Sequence, residues 1–262
     1  MSGFSDRNVE FSGRNVVVTG AGTGIGRAIV LRLSQAGAKV GLLGRRKGLL
    51  DAVAAEAPGD THVVSVDVRD ADAQQAAFEE VAGRFGPLHA LVANAGAGGP
   101  NLPGPGDRWD EVVRTNLDGS YFSIRAFERQ RAPGPDYRHV VMISSCLARF
   151  GVPGHTAYCA SKAGLLGMTR ALALEWAAEG VLVNAICPGW VDTEMARASM
   201  QAIADETGQR FEEARADAVG LVPLQRMSEP SEIAETVAFL LGPAGASFTG
   251  QALDPNCGSW MG

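Results

Sequence analysis

The chain has 262 residues, of which 46% are hydrophobic, 20% charged and 6% aromatic. A chain of this length and composition can bury enough apolar surface to fold without disulfides or a structural metal. Its formal net charge of −6 is not that of a general nucleic-acid binder or of a protein that acts on a membrane surface.

Short apolar runs alternate with longer amphipathic segments along the chain. We predict strands at residues 15–19, 38–43, 61–66, 88–93, 139–144, 181–186 and 251–253. We predict helices at residues 25–36, 46–56, 71–85, 107–130, 157–179 and 230–241. Several strands are apolar on both faces, which is typical of a parallel sheet covered by helices on each side. The pattern therefore predicts an α/β fold, with one domain over residues 1–262 built on a doubly wound parallel sheet.

Three segments interrupt this rhythm. Residues 97–106 and 132–136 are rich in glycine and proline, and we predict loops there. Residues 193–222 are charged, with scattered apolar positions. We predict one or two short helices in this segment, lying outside the sheet as a lid over the substrate; we call residues 193–222 the lid.

The chain carries no sign of metal binding, secretion or membrane insertion. Its four cysteines are scattered and form no ligand pattern with the four histidines, so we expect reduced thiols and no metal. No apolar run approaches the roughly 18 residues that a membrane span needs. The first ten residues lack the basic and apolar regions of a signal peptide. We therefore expect a cytoplasmic protein that binds neither membranes nor nucleic acid.

The first predicted strand runs into the glycine-rich segment Thr19-Gly-Ala-Gly-Thr-Gly-Ile-Gly26, and a helix follows. Glycines let the backbone turn sharply and approach a pyrophosphate, whose charge then lies at the positive end of the helix. A glycine-rich segment at this position, between the first strand and the first helix, predicts a dinucleotide site and a Rossmann-type sheet of about seven strands.

The residues after the second strand bear on the choice of dinucleotide. An acidic residue there would hold both ribose hydroxyls and repel a 2′-phosphate, whereas this chain has Arg45 and Arg46. Two guanidinium groups can bind a 2′-phosphate through charge-assisted hydrogen bonds. NADP(H) is therefore favoured, and NAD(H) stays open as the alternative.

Tyr158 and Lys162 lie four residues apart at the start of a predicted helix, which places them on the same face. A free phenol has a pKa of about 10 and is a poor base at neutral pH. A nearby ammonium group stabilises the phenolate, so we expect Lys162 to lower the pKa of Tyr158.

At this point the chain resembles the short-chain dehydrogenase/reductases. The resemblance runs from Thr19 to Gly258 and rests on these motifs in order: Thr19-Gly-x-x-x-Gly-x-Gly26, Asp67-Val68, Asn94-Ala-Gly96, Asn116, Ser145, Tyr158-x-x-x-Lys162 and Pro188-Gly-x-Val-x-Thr193. The ending Asn256-Cys257-Gly258 and the helix start at residues 228–233 are similar to those of aromatic-polyketide ketoreductases and, more loosely, of β-ketoacyl reductases.

The resemblance implies a catalytic role for four residues. Tyr158 would be the general acid or base, and Lys162 would lower its pKa and hydrogen-bond the nicotinamide ribose. Ser145 would polarise the substrate oxygen; its neighbour Ser144 points to the other side of the strand and is the less favoured candidate. Asn116 would anchor the water chain that returns protons to Lys162.

The same resemblance implies the cofactor contacts. The dinucleotide loop would contribute Gly20, Thr23, Gly24, Ile25 and Gly26. Asp67 and Val68 would contact adenine, and Asn94 and Gly96 the adenosine ribose. Thr193 and the backbone near Val191 would hold the nicotinamide carboxamide. Pro188, Gly189, Tyr158 and Lys162 would also contact the cofactor.

The substrate expected from these features is a small carbonyl or alcohol compound, either free or linked to a carrier protein or coenzyme A. Reduction of a β-ketoacyl or polyketide-like ketone with NADPH is favoured. Two alternatives stay open, NAD-dependent oxidation of a secondary alcohol or cyclic diol, and a non-catalytic dinucleotide sensor or scaffold. We predict that the substrate pocket includes Leu147, Phe150, His155 and Trp190, and a core or interface position stays open as the alternative for Phe150 and Trp190. Arg149 is a candidate anchor for an anionic tail, although a plain surface charge is the favoured interpretation. The resemblance also implies a homo-oligomer, with a tetramer favoured over a dimer.

Overall fold

A computed structural model of the chain describes residues 10–134 and 136–262. Residues 1–9 of the predicted domain, which include most of the segment tested for a signal peptide, lie outside the described residues. Pro135, in the predicted loop 132–136, also lies outside them.

The described residues contain one sheet of seven parallel strands. The strands in chain order are β1 (Asn15–Thr19), β2 (Lys39–Gly44), β3 (Thr61–Ser65), β4 (Ala90–Ala93), β5 (Arg138–Ile143), β6 (Val181–Ile186) and β7 (Ala252–Leu253). Their order across the sheet is β3-β2-β1-β4-β5-β6-β7. This arrangement confirms the predicted doubly wound α/β fold, and each strand begins and ends within two residues of its predicted position.

Helices connect the strands and cover both faces of the sheet. They are α1 (Gly24–Gln35), α2 (Lys47–Glu56), α3 (Ala71–Phe85), α4 (Trp109–Val113), α5 (Gly119–Gln130), α6 (Thr156–Trp176), α7 (Glu194–Thr207), α8 (Phe211–Gly220) and α9 (Pro230–Leu241). The lid contains α7 and α8, as predicted. The predicted helix at residues 107–130 is interrupted, because a π-helical turn over Arg114–Asp118 separates α4 from α5.

Alternating strand residues fill two apolar cores, one on each face of the sheet. In β1, Val16 and Val18 face the core that also holds Ile29 of α1, whereas Val17 faces the opposite core with Phe78 of α3. Phe127 of α5 lies in this second core too. Burial on both faces explains why these strands are continuous apolar runs.

Parallel strands place all their carboxyl ends at one edge of the sheet. β1 pairs with β2 on one side and with β4 on the other, so the strand order changes direction at β1. A crevice opens where the strand order changes direction, which is where ligands bind in open α/β sheets. No helix in the described part of the chain is long and apolar enough to cross a membrane.

Candidate active site

A cleft of about 1630 Å³ lies at the carboxyl ends of the strands. The site residues predicted above contribute to its lining, with two exceptions: Asn116, which is buried behind it, and Arg149. The structure therefore brings together residues from positions 20 to 193 of the chain. Among the described residues, no group of three or more His, Cys, Asp or Glu side chains could hold a metal ion.

The glycine-rich loop after β1 fits a dinucleotide because its backbone leaves no room for side chains. Gly20 and Gly24 have φ angles of 65° and 51°, in the left-handed region that favours glycine. A β-carbon on Gly26 would lie 2.2 Å from the carbonyl oxygen of Gly20. The loop therefore lies directly against the start of α1, whose first backbone N–H groups can receive a pyrophosphate.

Arg45 and Arg46 follow β2 and line the same end of the cleft. The guanidinium group of Arg46 donates a hydrogen bond of 3.2 Å to the hydroxyl of Thr23 and lies 3.9 Å from the carboxylate of Glu194. Its side chain is 62% exposed, so it is free to reorient toward an anion. Arg45 and Arg46 are thus the residues at this end of the cleft that could bind an anionic group of the cofactor.

The carboxylate of Asp67, after β3, is held by Arg69. Two nitrogens of that guanidinium group donate to it, the shorter bond being 2.6 Å long. These hydrogen bonds hold the pKa of Asp67 at about 2. Asp67 is therefore a fixed negative charge in the part of the cleft expected to hold adenine.

Asn94 ties β4 to the dinucleotide loop. Its side-chain amide donates to the carbonyl oxygens of Thr19 and Gly20, at 2.9 and 3.1 Å. Two residues on, a β-carbon on Gly96 would lie 3.4 Å from the Nζ of Lys162. The glycine therefore keeps open the space between the loop after β4 and Lys162.

Tyr158 and Lys162 lie in the first two turns of α6, beside Ser145 at the end of β5. The Nζ of Lys162 lies 5.7 Å from the centre of the Tyr158 ring and donates a 2.8 Å hydrogen bond to the carbonyl oxygen of Ile143. The hydroxyl of Ser145 accepts a hydrogen bond from the backbone N–H of Leu147. Ser144 points away and donates to the carbonyl oxygen of Lys162 at 2.9 Å.

The two ionisable groups are shifted in opposite directions. The enclosed position of Tyr158 raises the pKa of its phenol to about 12, although a hydrogen bond with Ser145 opposes the shift. Burial lowers the pKa of Lys162 to about 8. The expected lowering of the Tyr158 pKa by Lys162 is therefore not observed: Lys162 is not among the causes of the shift, and the loss of solvation outweighs the opposing hydrogen bond with Ser145.

Asn116 lies in the π-helical turn and is fully buried. Its Oδ1 accepts from the backbone N–H of Ala97 at 2.7 Å, and its Nδ2 donates to the carbonyl oxygen of Ala97 and to the hydroxyl of Ser161, both at 3.0 Å. Asn116 thus joins the loop after β4 to the helix that carries Tyr158. The sequence pattern did not indicate these partners.

The segment after β6 closes the other side of the cleft through Pro188, Gly189, Val191 and Thr193. A β-carbon on Gly24 would lie 2.9 Å from the methyl group of Thr193, so this segment contacts the dinucleotide loop. The hydroxyl of Thr193 also accepts from the backbone N–H of Ala196 and caps α7.

The predicted substrate residues Leu147, Phe150, His155 and Trp190 all line the cleft. Arg149, the less favoured candidate for anchoring an anionic tail, does not line the cleft, so the structure does not support that role. Its guanidinium group pairs with the carboxylate of Asp254 at 2.9 Å and stacks 4.8 Å from the ring centre of Trp260.

The sequence analysis missed several apolar lining residues. A β-carbon on Gly98 would lie 2.9 Å from the sulfur of Met195 and 3.8 Å from the ring of Tyr158, so the lid comes close to Tyr158. The position of Met195, two residues after Thr193, was the available signal. Other apolar side chains missed include Leu102, Val152, Ile203 and Leu221.

Comparisons with known proteins agree with this architecture. The profile of a family described as enoyl-(acyl carrier protein) reductase matches residues 20–259. The chain is 34% identical to 3-oxoacyl-(acyl-carrier-protein) reductase FabG of Staphylococcus aureus, over 95% of this chain and 98% of the relative. It is 37% identical to acetoacetyl-CoA reductase of Synechocystis, over 92% of this chain and 94% of the relative.

Among solved structures, a tryptophan variant of actinorhodin polyketide ketoreductase with NADPH superposes with a TM-score of 0.88 at 34% identity, covering 98% of this chain and 99% of that chain. The motifs, the sheet order and these matches lead to one conclusion. The chain belongs to the short-chain dehydrogenase/reductase family, oxidoreductases that act on CH–OH groups with NAD(P).

Proposed function

We propose that this protein uses NADPH to reduce the ketone of a β-ketoacyl or polyketide-like compound. One observation carries the proposal: Tyr158, Ser145 and Lys162 border the same cleft whose other end holds the glycine-rich loop and Arg45 and Arg46. A proton donor and a dinucleotide site that share a cleft are what carbonyl reduction requires.

NADPH, when bound, supplies the hydride that adds to the carbonyl carbon. Tyr158 donates its phenolic proton to the carbonyl oxygen, which completes the alcohol. With a pKa of about 12, the phenol holds its proton at neutral pH and is in the form that reduction needs. Ser145 donates a hydrogen bond to the same oxygen and stabilises its developing charge.

Lys162 and Asn116 would resupply the phenol of Tyr158 with its proton. Lys162, buried and within reach of Gly96, binds the nicotinamide ribose and returns a proton to Tyr158. Asn116 holds the loop after β4 and Ser161 in place, and anchors the water through which Lys162 is reprotonated. The rest of the cofactor is held by the dinucleotide loop, Arg45, Arg46, Asp67, Val68, Asn94 and the segment from Pro188 to Thr193.

Replacing Tyr158 tests the catalytic assignment. We expect Tyr158→Phe to lower kcat by about 100- to 10,000-fold, since the proton donor is lost. NADPH affinity should stay near that of the native protein, because the ring is kept. The measurements are steady-state reduction of a cyclic β-ketoester and a fluorescence titration with NADPH. Retention of more than half of the native kcat would remove Tyr158 from proton transfer.

Replacing both arginines after β2 tests the cofactor assignment. We expect the double variant Arg45→Ala/Arg46→Ala to weaken NADPH binding by at least about tenfold, because charge-assisted hydrogen bonds to the 2′-phosphate are lost. NADH binding should change by less than about twofold. The measurement is the Kd of each dinucleotide, obtained by titration without substrate. Equal weakening of NADPH and NADH binding would show that the arginines do not bind the 2′-phosphate.

We also propose that the protein is a homo-oligomer, with a tetramer favoured over a dimer. Exposed apolar side chains on α5 and α6 support this, since Leu174 is 85% and Tyr121 42% exposed. Light scattering after size exclusion is the direct test, and a monomeric mass at micromolar concentration would contradict it.

A further inference from the structure

We infer that the ketone reaches this site as a free, uncharged and largely apolar compound, not attached to coenzyme A or to the phosphopantetheine arm of a carrier protein. The inference rests on the proposed function and refines it, because it selects one form of substrate from the three that the family resemblance leaves open. It follows from the chemistry of the part of the cleft that we call the substrate half, lined by residues from 98–102, 147–155 and 190–222.

The substrate half is mostly apolar. Its larger apolar side chains come from three separate segments of the chain: Leu102, Leu147, Phe150, Val152, Trp190, Met195, Ile203 and Leu221. Between them, the lid contributes alanines, whose small side chains leave room for a bulky skeleton: Ala202, Ala214, Ala216 and Ala218. Burial of apolar area in such a space supplies affinity at roughly 25 cal/mol per Å².

The charged groups in this half are carboxylates. Glu194, Glu206 and Asp217 line it, together with the one histidine His155. Over the described residues, no lysine or arginine contributes to the lining of the substrate half. The cations of the cleft all lie in its cofactor and catalytic parts.

Arginines on the surrounding segments already have acidic partners. The ion pairs are Arg108–Glu111, Arg149–Asp254, Arg197–Asp192 and Arg210–Glu213. Arg215, the remaining arginine of the lid, does not line the cleft. Over residues 193–222 the sequence holds six acidic side chains and three arginines, so the lid is net negative.

This charge pattern acts against a phosphorylated arm. Coenzyme A and phosphopantetheine carry phosphate groups, which a specific site pairs with lysine, arginine or backbone N–H groups. A net negative lid repels such a substrate and slows its approach. An uncharged ketone meets no such repulsion and gains from the apolar lining.

A matched pair of substrates tests the inference. Acetoacetyl-coenzyme A and acetoacetyl-N-acetylcysteamine carry the same β-ketothioester, and only the former has phosphates. With NADPH, we expect kcat/KM for the N-acetylcysteamine thioester to exceed that for the coenzyme A thioester by at least about tenfold. We also expect reduction of 1-decalone, an uncharged bicyclic ketone. An equal or higher kcat/KM for acetoacetyl-coenzyme A would overturn the inference and leave the proposed function standing, whereas no reduction of any of the three ketones would overturn the proposed function itself.

Variants that remove carboxylates from the cleft distinguish electrostatic repulsion of the phosphorylated arm from steric exclusion. In the double variant Glu206→Gln/Asp217→Asn, the ratio of kcat/KM for the coenzyme A thioester to that for the N-acetylcysteamine thioester should rise by about threefold or more. The control Asp205→Asn/Glu212→Gln removes the same charge from lid residues that do not line the cleft, and its ratio should move less. Equal ratios in the two variants would show that the cleft carboxylates do not exclude the phosphorylated arm.

Discussion

At the scale of single residues, the site combines a phenol that keeps its proton with a lysine that can lose one. The pKa of Tyr158 is raised to about 12 and that of Lys162 is lowered to about 8, both through loss of solvation. At neutral pH the phenol is therefore a proton donor, whereas the phenolate that alcohol oxidation needs is scarce. This protonation state is the one from which Tyr158 would donate a proton in the proposed reduction.

Two adjacent serines have different partners, and their variants should differ accordingly. Ser145→Ala removes a hydrogen-bond donor to the reacting oxygen, and we expect kcat to fall by about 100- to 1000-fold. Ser144→Ala removes the 2.9 Å bond to the carbonyl oxygen of Lys162, so we expect a cost of about 1 kcal/mol, or a Tm lower by about 2 to 4 °C. Kinetics and thermal melts of both variants measure this, and a larger loss of kcat in Ser144→Ala would reverse the assignment.

Local motifs identified most of the site, and long-range contacts explain what they missed. Tyr158 and Lys162 are four residues apart, so helical periodicity alone places them together. The pairing of Arg149 with Asp254 joins positions 105 residues apart, and no local pattern indicates it. Asn116 was identified by its family context, but its contact with Ala97 exists only because the chain folds back across the sheet.

At the scale of elements, sequence periodicity predicts every strand, since burial on both faces leaves continuous apolar runs. It fails at residues 107–130, where a single helix was predicted. The apolar face of α5 continues that of α4. Because of this continuity, the pattern of apolar residues does not indicate the extra residue of the π-helical turn. The break lies at the residue that bridges to α6, which agrees with the tendency of such turns to occur at functional sites.

The junction of β1 and α1 depends on close approach of the backbone, and Gly26→Ala tests it. The added β-carbon would lie 2.2 Å from the carbonyl oxygen of Gly20 and 2.6 Å from the amide of Asn94, so the loop must shift. We expect the Kd for NADPH to rise by at least about 100-fold, which corresponds to about 3 kcal/mol. The measurement is a fluorescence titration of the purified variant.

Gly83→Ala is the matched control. Gly83 lies inside α3, where an added β-carbon meets no atom within 4 Å. This variant should bind NADPH normally and gain about 0.5 to 1 kcal/mol of stability, because alanine favours the helix. If Gly26→Ala bound NADPH as tightly as Gly83→Ala does, the glycine-rich loop would not be the pyrophosphate site.

At the scale of the whole molecule, the cleft is formed at the edge of the sheet where the carboxyl ends of the strands lie. The loops after β1 to β6 and the start of α6 supply most of the residues proposed for cofactor binding and catalysis, and the lid supplies most of the substrate half. Reaction type and substrate choice therefore depend on different parts of the chain. This division explains why sequence motifs alone predict the reaction. The inference about the form of the substrate, in contrast, depends on where the charged side chains of the lid lie in the folded protein.

The stability of the whole fold should depend on a histidine inside the sheet. His139 lies on β5, is 6% exposed, and its Nδ1 has no hydrogen-bond partner among the described residues. Burial, with a smaller contribution from the charge of Arg14, lowers the pKa of His139 to about 4 from an ordinary value of 6.5. Between these values the unfolded chain binds a proton that the folded chain does not, so stability falls as the pH drops from about 6.5 to about 4. The shift corresponds to about 3 kcal/mol.

We therefore expect His139→Gln to flatten the acid limb of the stability profile. The free energy of unfolding, measured by urea titration at several pH values between 4 and 7, should lose less on acidification in the variant than in the native protein. Some acid sensitivity should persist, because burial also lowers the pKa of His89. The substitution itself will lower stability at pH 7, so the difference between pH values, not the absolute stability, is the quantity compared. Parallel profiles for the two proteins would show that protonation of His139 does not drive acid unfolding.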